Sequence, residues 1–127
     1  MNIYNDIKFI TEPVLEKGQY YIYVAENYPQ GNIKIGRTTN IQQRLYSLSG
    51  SNGGGNKLIK AAVSEPTYLY TLEKLIHDHY KQFRVKNTEW FVNITFDEVV
   101  KYITNIFNSK EYKVCNETRR LFQSKNN

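Results

Sequence analysis

The segment 33–45 constrains the fold of this chain most, because it changes from strand to helix character within a few residues. The residues before Gly36 alternate apolar and polar, as in a strand with one buried face. Gly36 then favours a turn with free backbone geometry. Thr39 and Gln42 form a predicted capping box, and Arg44 lies about one and a half turns into the helix that follows. This junction is suited to holding a phosphate.

Three segments are predicted to form an antiparallel sheet. Residues 19–25 are rich in tyrosine and β-branched residues, which favours a strand. The turn at 27–32 predicts that 33–36 return antiparallel as a hairpin. Residues 57–64 are predicted to form the third strand. The loop 49–56 carries three successive glycines, which leave no side chains to pack.

Three helices are predicted to flank this sheet. The first covers 40–48 and the longest covers 66–84, where Pro66 marks the start. The long helix carries an apolar stripe made by Leu69, Leu72, Ile76, Tyr80 and Phe83. Thr95 and Glu98 form a second capping box for a helix to Phe107. The predicted fold is therefore α+β, with a small three-stranded antiparallel sheet flanked by helices.

The length and composition predict one domain. A chain of 127 residues with 40% hydrophobic residues supplies one modest core. We divide it into a lead-in at 1–17, a domain at 18–109 and a basic tail at 110–127. The chain has neither an apolar run of membrane length nor a secretory pattern, so we expect an intracellular, cytoplasmic protein. The single cysteine and two histidines make a thiolate-imidazole metal site improbable.

The basic residues cluster in one part of the sequence. The chain carries 17 Lys+Arg against 12 Asp+Glu, and the segment 34–60 has no acidic residue. Its five bases are Lys34, Arg37, Arg44, Lys57 and Lys60. Such a segment either contacts a polyanion, releasing condensed counterions, or forms a solvated basic face. The many Asn, Lys, Ile and Tyr residues suggest an AT-rich genome such as that of a virus or phage.

The spacing of four motifs resembles the GIY-YIG nuclease superfamily. Tyr23 ends the tripeptide 21–23 and stands eleven residues before Lys34, while Arg44 stands eight residues after Gly36. Glu73 follows on a predicted helix. The resemblance covers 18–101. The variant second motif and the later Glu-Trp-Phe at 89–91 are similar to the phage-type branch named after an open reading frame of bacteriophage T-five, usually described as a DNA-binding domain.

The resemblance implies a role for each matched residue. Tyr23 would orient or deprotonate water, Arg44 would bind the scissile phosphate, and Glu73 would hold one Mg²⁺ or Mn²⁺. Lys34 replaces the tyrosine of the second motif and would contact phosphate or lower a tyrosine pKa. Glu89 or Asn93 stands where members carry a late asparagine. Further contacts to DNA would come from Arg37, Lys57 and Lys60.

Three hypotheses for the function follow. The first is a metal-dependent endonuclease domain of GIY-YIG type that cleaves phosphodiester bonds in double-stranded DNA. The second is a non-catalytic DNA-binding module on the same scaffold. The third is an interaction protein with a tyrosine-rich face. For Glu73 itself, the alternative is a surface carboxylate that reaches solvent or pairs with His77, four residues later.

Overall fold

The computed structural model describes residues 7–9, 19–28, 31–48 and 57–125. The strands are β1 (Ile7–Phe9), β2 (Tyr21–Tyr28), β3 (Asn32–Thr38), β4 (Lys57–Val63) and β5 (Trp90–Phe91). The helices are α1 (Ile41–Leu48), α2 (Leu72–His79), α3 (Phe96–Phe107) and α4 (Lys110–Lys125), with a short 3-10 helix at Lys81–Phe83. The α+β class is confirmed.

The described strands form one sheet in the order β1-β4-β2-β3-β5. The pairs β4–β2, β2–β3 and β3–β5 are antiparallel, and β1 pairs parallel with β4. The three predicted strands are confirmed as β2, β3 and β4. The predicted number of strands is wrong, because the described sheet also contains β1 and β5. These two strands are only three and two residues long. Segments of that length show no periodicity that a sequence could reveal.

The two faces of the sheet bury different elements. Side chains alternate along a strand, so Tyr21 and Tyr23 face α1 while Ile22 and Val24 face α2 and α3. On the first face, the tyrosines pack with Ile41 and Leu45 of α1. On the second face, the β2 and β3 side chains pack with the apolar stripes of α2 and α3 in one larger cluster. Tyr23 of β2 therefore lies under α1, the helix that carries Arg44.

Helix α2 is shorter than the predicted helix at 66–84, and that prediction is wrong. The backbone before the helix is held to the start of β2: Thr67 N donates to Tyr20 O (2.9 Å) and Ser64 N donates to Ile22 O (2.9 Å). Because these groups pair with a distant strand, the helix begins only at Leu72. The predicted packing of Leu72 against the hairpin is confirmed, and Leu69 and Phe83 pack against the same cluster from outside the helix.

Two helix starts were predicted from capping boxes, and one is confirmed. Thr95 Oγ1 accepts from Glu98 N (3.2 Å) while Thr95 N donates to Glu98 Oε1 (2.7 Å). The other is displaced by one residue, because Asn40 Oδ1 accepts from Gln43 N (3.0 Å). An asparagine caps at least as well as a threonine.

Helix α4 lies in the segment predicted as a basic tail, 110–127. Its Tyr112 is buried in the cluster that holds α2 and α3, and Asn116 Oδ1 accepts from Tyr68 N (2.6 Å). Strand β1 lies in the predicted lead-in, 1–17, and adds to the sheet. The domain limits 18 and 109 stay a prediction. The predicted glycine loop, 49–56, lies outside the described residues. In the described part of the chain, no helix is long and apolar enough to cross a membrane.

Replacing Leu72 by alanine tests the packing of α2 on the sheet. Leu72 is 4% exposed and contacts the main cluster, so Leu72→Ala should lower the free energy of unfolding by about 2–5 kcal/mol. The matched control is Leu75→Ala on the same helix, where the side chain is 50% exposed and the change should stay within about 0.5 kcal/mol. Urea denaturation measures both. Equal losses would contradict this placement of α2.

Candidate functional site

Tyr23 and Gly36 form the centre of the site. They face each other directly in the β2–β3 ladder, and the Tyr23 ring lies across the glycine. A Cβ on residue 36 would stand 2.6 Å from Tyr23 Cζ, and it would collide with the hydroxyl oxygen as well. Gly36 lies inside β3, so the predicted turn at this position is wrong. The glycine provides space for a ring rather than a turn.

Three charged side chains act on the Tyr23 hydroxyl. Burial raises the pKa of Tyr23 well above its ordinary value, the Arg44 guanidinium lowers it in part, and the carboxylates of Glu89 and Glu73 raise it further. All three charges therefore lie within the range of electrostatic interaction with this hydroxyl. They come from α1, from the turn before β5 and from α2. At neutral pH the phenol keeps its proton and can donate a hydrogen bond.

The position of Glu73 follows from two contacts of α2 with β3. Before the helix, Tyr70 O accepts a hydrogen bond from Arg37 Nη1 (3.0 Å). Further along, the His77 imidazole donates through Nε2 to Ile35 O (2.7 Å). Glu73 lies between these two contacts along α2, and Gly36 lies between them along β3. The helix therefore presents Glu73 to the edge of the strand at Gly36. Pairing of Glu73 with His77 is absent from the described contacts, because His77 binds the strand.

Arg44 and Lys34 differ in how far their charges are compensated. Arg44 is exposed on α1 and forms no ion pair with any residue in the described ranges. Lys34 Nζ lies 3.7 Å from Glu89 Oε2 and 5.2 Å from the centre of the Trp90 ring, with its side chain 16% exposed. Arg44 is therefore available to an anion, whereas Lys34 is partly engaged by its neighbours.

Two of the other predicted DNA contacts, Arg37 and Lys60, lie away from the Tyr23 face. Arg37 follows Gly36 in β3 and therefore points to the opposite face, next to the rings of Tyr20 and Tyr70. Lys60 Nζ lies 4.8 Å from the centre of the Phe96 ring, also on the α3 side. The side chain of Lys57 is outside the described residues. The structure thus brings together Tyr23, Arg44 and Glu73, with Lys34 beside them.

Glu89 is the site residue that motif spacing did not assign. It enters the site because Lys34 pairs with Trp90 in the β3–β5 ladder, and Glu89 O accepts from Ile35 N (3.2 Å). Glu89 is therefore held next to Ile35 of β3, and its charge acts on the Tyr23 hydroxyl as that of Glu73 does. The signal in the sequence was the resemblance to GIY-YIG proteins, which implied either Glu89 or Asn93 at the position of a late asparagine.

The carboxylates are compatible with one hard cation. Within the ranges that the structure describes, no group of three or more His, Cys, Asp or Glu residues could hold a metal. Glu73 and Glu89 are two oxygen donors whose charges both act on the Tyr23 hydroxyl. Magnesium is commonly held by one or two carboxylates together with water and substrate phosphate. This donor set fits an ion that binds weakly until a phosphate completes its shell.

An exposed arginine, a protonated tyrosine and two carboxylates in a basic α+β domain are compatible with a nuclease-like or DNA-binding protein. The model of the T5orf172 domain family matches residues 19–121. The chain therefore belongs to the T5orf172 domain family, and this membership implies interaction with DNA. The match includes every predicted site residue and most of α4. A search of curated proteins and a search of solved structures returned no match.

The close packing of the Tyr23 ring over Gly36 predicts that substitutions at these two positions have coupled effects on the free energy of unfolding. Gly36→Ala should lower the free energy of unfolding by about 1–3 kcal/mol, because the new Cβ overlaps the phenol ring. In the double variant with Tyr23→Val the overlap is removed, so the loss should be smaller than the sum of the two single losses. Urea denaturation of the three variants gives this coupling energy. Strict additivity would mean that the ring does not cross the glycine.

Proposed function

We propose that this domain is a metal-dependent DNA endonuclease of GIY-YIG type that hydrolyses phosphodiester bonds. The observation that carries the proposal is that the Tyr23 ring lies over Gly36 while contacts of the neighbouring β3 residues hold the segments that carry Glu73 and Glu89. Cleavage of a phosphodiester requires a cation for the developing charge, a donor for an oxygen and a place for a metal. This cluster offers one of each at a single point.

Arg44 and Tyr23 would position the substrate. The guanidinium of Arg44 presents several N–H donors to the scissile phosphate and has no competing carboxylate among the described residues. Tyr23, with its raised pKa, would donate to a phosphate oxygen or to the attacking water. Its protonated state supports orientation of the water rather than removal of a proton by a phenolate.

Glu73 and Glu89 would hold a single Mg²⁺ or Mn²⁺. When bound there, the ion supplies charge stabilisation to the phosphate oxygens. Lys34 beside Glu89 would contact the same phosphate and limit the negative charge at the site. Arg37, Lys57 and Lys60 remain proposed contacts to the backbone of double-stranded DNA. Lys60 lies on the α3 side and would act mainly through the positive field of the domain.

A non-catalytic DNA-binding module is the second candidate. It is favoured by Lys34 Nζ, which lies 3.7 Å from Glu89 Oε2 and would compete with a cation for that carboxylate. The same Arg44 and Tyr23 would then bind a phosphate without cleaving it. The two candidates differ in one measurable property, which is cleavage that depends on a divalent metal.

Binding is tested first by Arg44→Ala. Removing a phosphate contact should lower the affinity for duplex DNA about tenfold or more. The slope of log affinity against log salt concentration should fall in magnitude by about one. The loss should be similar for unrelated sequences, since phosphate contacts carry no base information. Lys101→Ala is the matched control, because it also removes one exposed positive charge but lies on α3. Fluorescence anisotropy across a salt series measures both. Equal losses would show that Arg44 acts only through net charge.

Cleavage is tested by Glu73→Gln in a supercoiled-plasmid assay with Mg²⁺ or Mn²⁺. If Glu73 helps to hold the metal, nicking should fall at least about 100-fold, while DNA binding stays equal or improves because a negative charge is lost. Asp97→Asn, exposed on α3, is the matched control and should nick as the unaltered protein does.

Two outcomes of this assay would overturn the endonuclease proposal. DNA binding without nicking by the unaltered protein, with either metal, would establish the binding module. Nicking that survives both Glu73→Gln and chelation would remove Glu73 from the mechanism.

A further inference from the structure

Beside the proposed site, Tyr20, Arg37 and Tyr70 form a cluster that we call the arginine clamp. The Arg37 guanidinium carbon lies 4.8 Å from the centre of the Tyr20 ring and 5.7 Å from that of Tyr70. Arg37 Nη1 also donates to Tyr70 O (3.0 Å). The two rings meet edge to face with centroids 5.2 Å apart. The three side chains therefore hold one another in place.

The charge of the clamp is uncompensated. No carboxylate within the described ranges forms an ion pair with Arg37. The hydrogen bond from Arg37 to Tyr70 O connects β3 to the segment before α2, and the Tyr20 ring covers one side of the guanidinium. They leave the Tyr70 ring 50% exposed beside an immobilised cation. An ordered cation next to exposed aromatic surface suits a ligand that is both planar and anionic, as a nucleotide is.

The clamp lies on the opposite face of β3 from Tyr23, and the two are linked by the strand edge at Gly36, along which α2 runs. Tyr20 precedes Tyr23 by three residues, and Tyr70 precedes Glu73 by three. Arg37 is the neighbour of Gly36 in β3, one strand step or about 3.3 Å along the backbone. A DNA strand that crosses this end of β3 would meet both surfaces. The nucleotide at the clamp would then lie on one side of this strand edge and the phosphate at Tyr23 and Arg44 on the other.

We infer that the arginine clamp stacks an unpaired nucleobase next to the phosphate held by Tyr23 and Arg44. The preferred ligand is then DNA with an unpaired nucleotide beside the bound phosphate, such as an overhang or a duplex with one extra base. In a fully paired duplex, both faces of each base are covered by its neighbours, so no base is free to stack on a tyrosine. This inference rests on the proposed function, since it takes the phosphate site as given.

The test compares Tyr70→Ala, Tyr70→Phe and the control Leu75→Ala, which removes an equally exposed side chain from α2. Fluorescence anisotropy gives the affinity of each full-length protein for two labelled DNA probes of equal length, one fully paired and one with a single unpaired adenine. Tyr70→Ala should weaken binding to the second probe about tenfold and to the first less than about twofold, as expected for the loss of one stacked base. Tyr70→Phe keeps the ring and should bind both probes as the unaltered protein does.

A fluorescent adenine analogue at the unpaired position reports stacking directly. Its emission should be quenched on binding by the unaltered protein and by Tyr70→Phe, but not by Tyr70→Ala. Equal effects of Tyr70→Ala on both probes, or no effect on either, would overturn the inference that the clamp stacks a base. The phosphate site would still be upheld if binding of the duplex depends on Arg44. Absence of binding to any DNA probe would overturn both. Tighter binding of the corresponding RNA probe would assign the clamp to RNA and overturn the inference for DNA.

Discussion

The site depends on the close approach of the Tyr23 ring to the backbone of Gly36. Any side chain at position 36 would occupy the space of the phenol. The ring therefore lies flat over β3 instead of standing above it, and its hydroxyl reaches the strand edge along which α2 runs. Burial keeps the hydroxyl protonated. A donor is thus fixed at a sheet edge, which is an unusual place for a rigid polar group and a useful one for holding a phosphate.

The short length of β5 leaves Ile35 of β3 free to bind the segments that carry Glu89 and Glu73. β5 pairs only with Ile33 and Lys34 of β3, so the edge beyond them is open to other partners. Glu89 binds Ile35 N through its backbone carbonyl, and His77 of α2 binds Ile35 O. These two contacts hold the segments that carry Glu89 and Glu73 to the same residue of β3. Lys34 compensates the charge of Glu89, and in the proposed mechanism a cation would compensate both carboxylates.

Local signals in the sequence predicted the local structure well. The Thr95–Glu98 capping box and the three central strands are present because each depends on neighbouring residues. The start of α2 could not be predicted, since it is set by pairing between Thr67 and Tyr20 across the fold. The role of Gly36 was hidden for the same reason. Strand alternation alone places Arg37 and Tyr23 on opposite faces of the sheet. From the sequence, Arg37 was instead grouped with the other basic residues of the segment 34–60.

Paramagnetic broadening by Mn²⁺ tests the central claim most directly. The protein would carry isotope-labelled tyrosine rings and be bound to DNA in which the bonds resist cleavage. If a cation binds at Glu73 and Glu89 over the Tyr23 hydroxyl, Mn²⁺ should broaden the Tyr23 signals first, and Glu73→Gln should abolish this effect at the same Mn²⁺ concentration. Signals of the distant Tyr112 serve as the internal control. Selective broadening elsewhere, or none at Tyr23 with DNA bound, would contradict a metal-dependent phosphate site at this position.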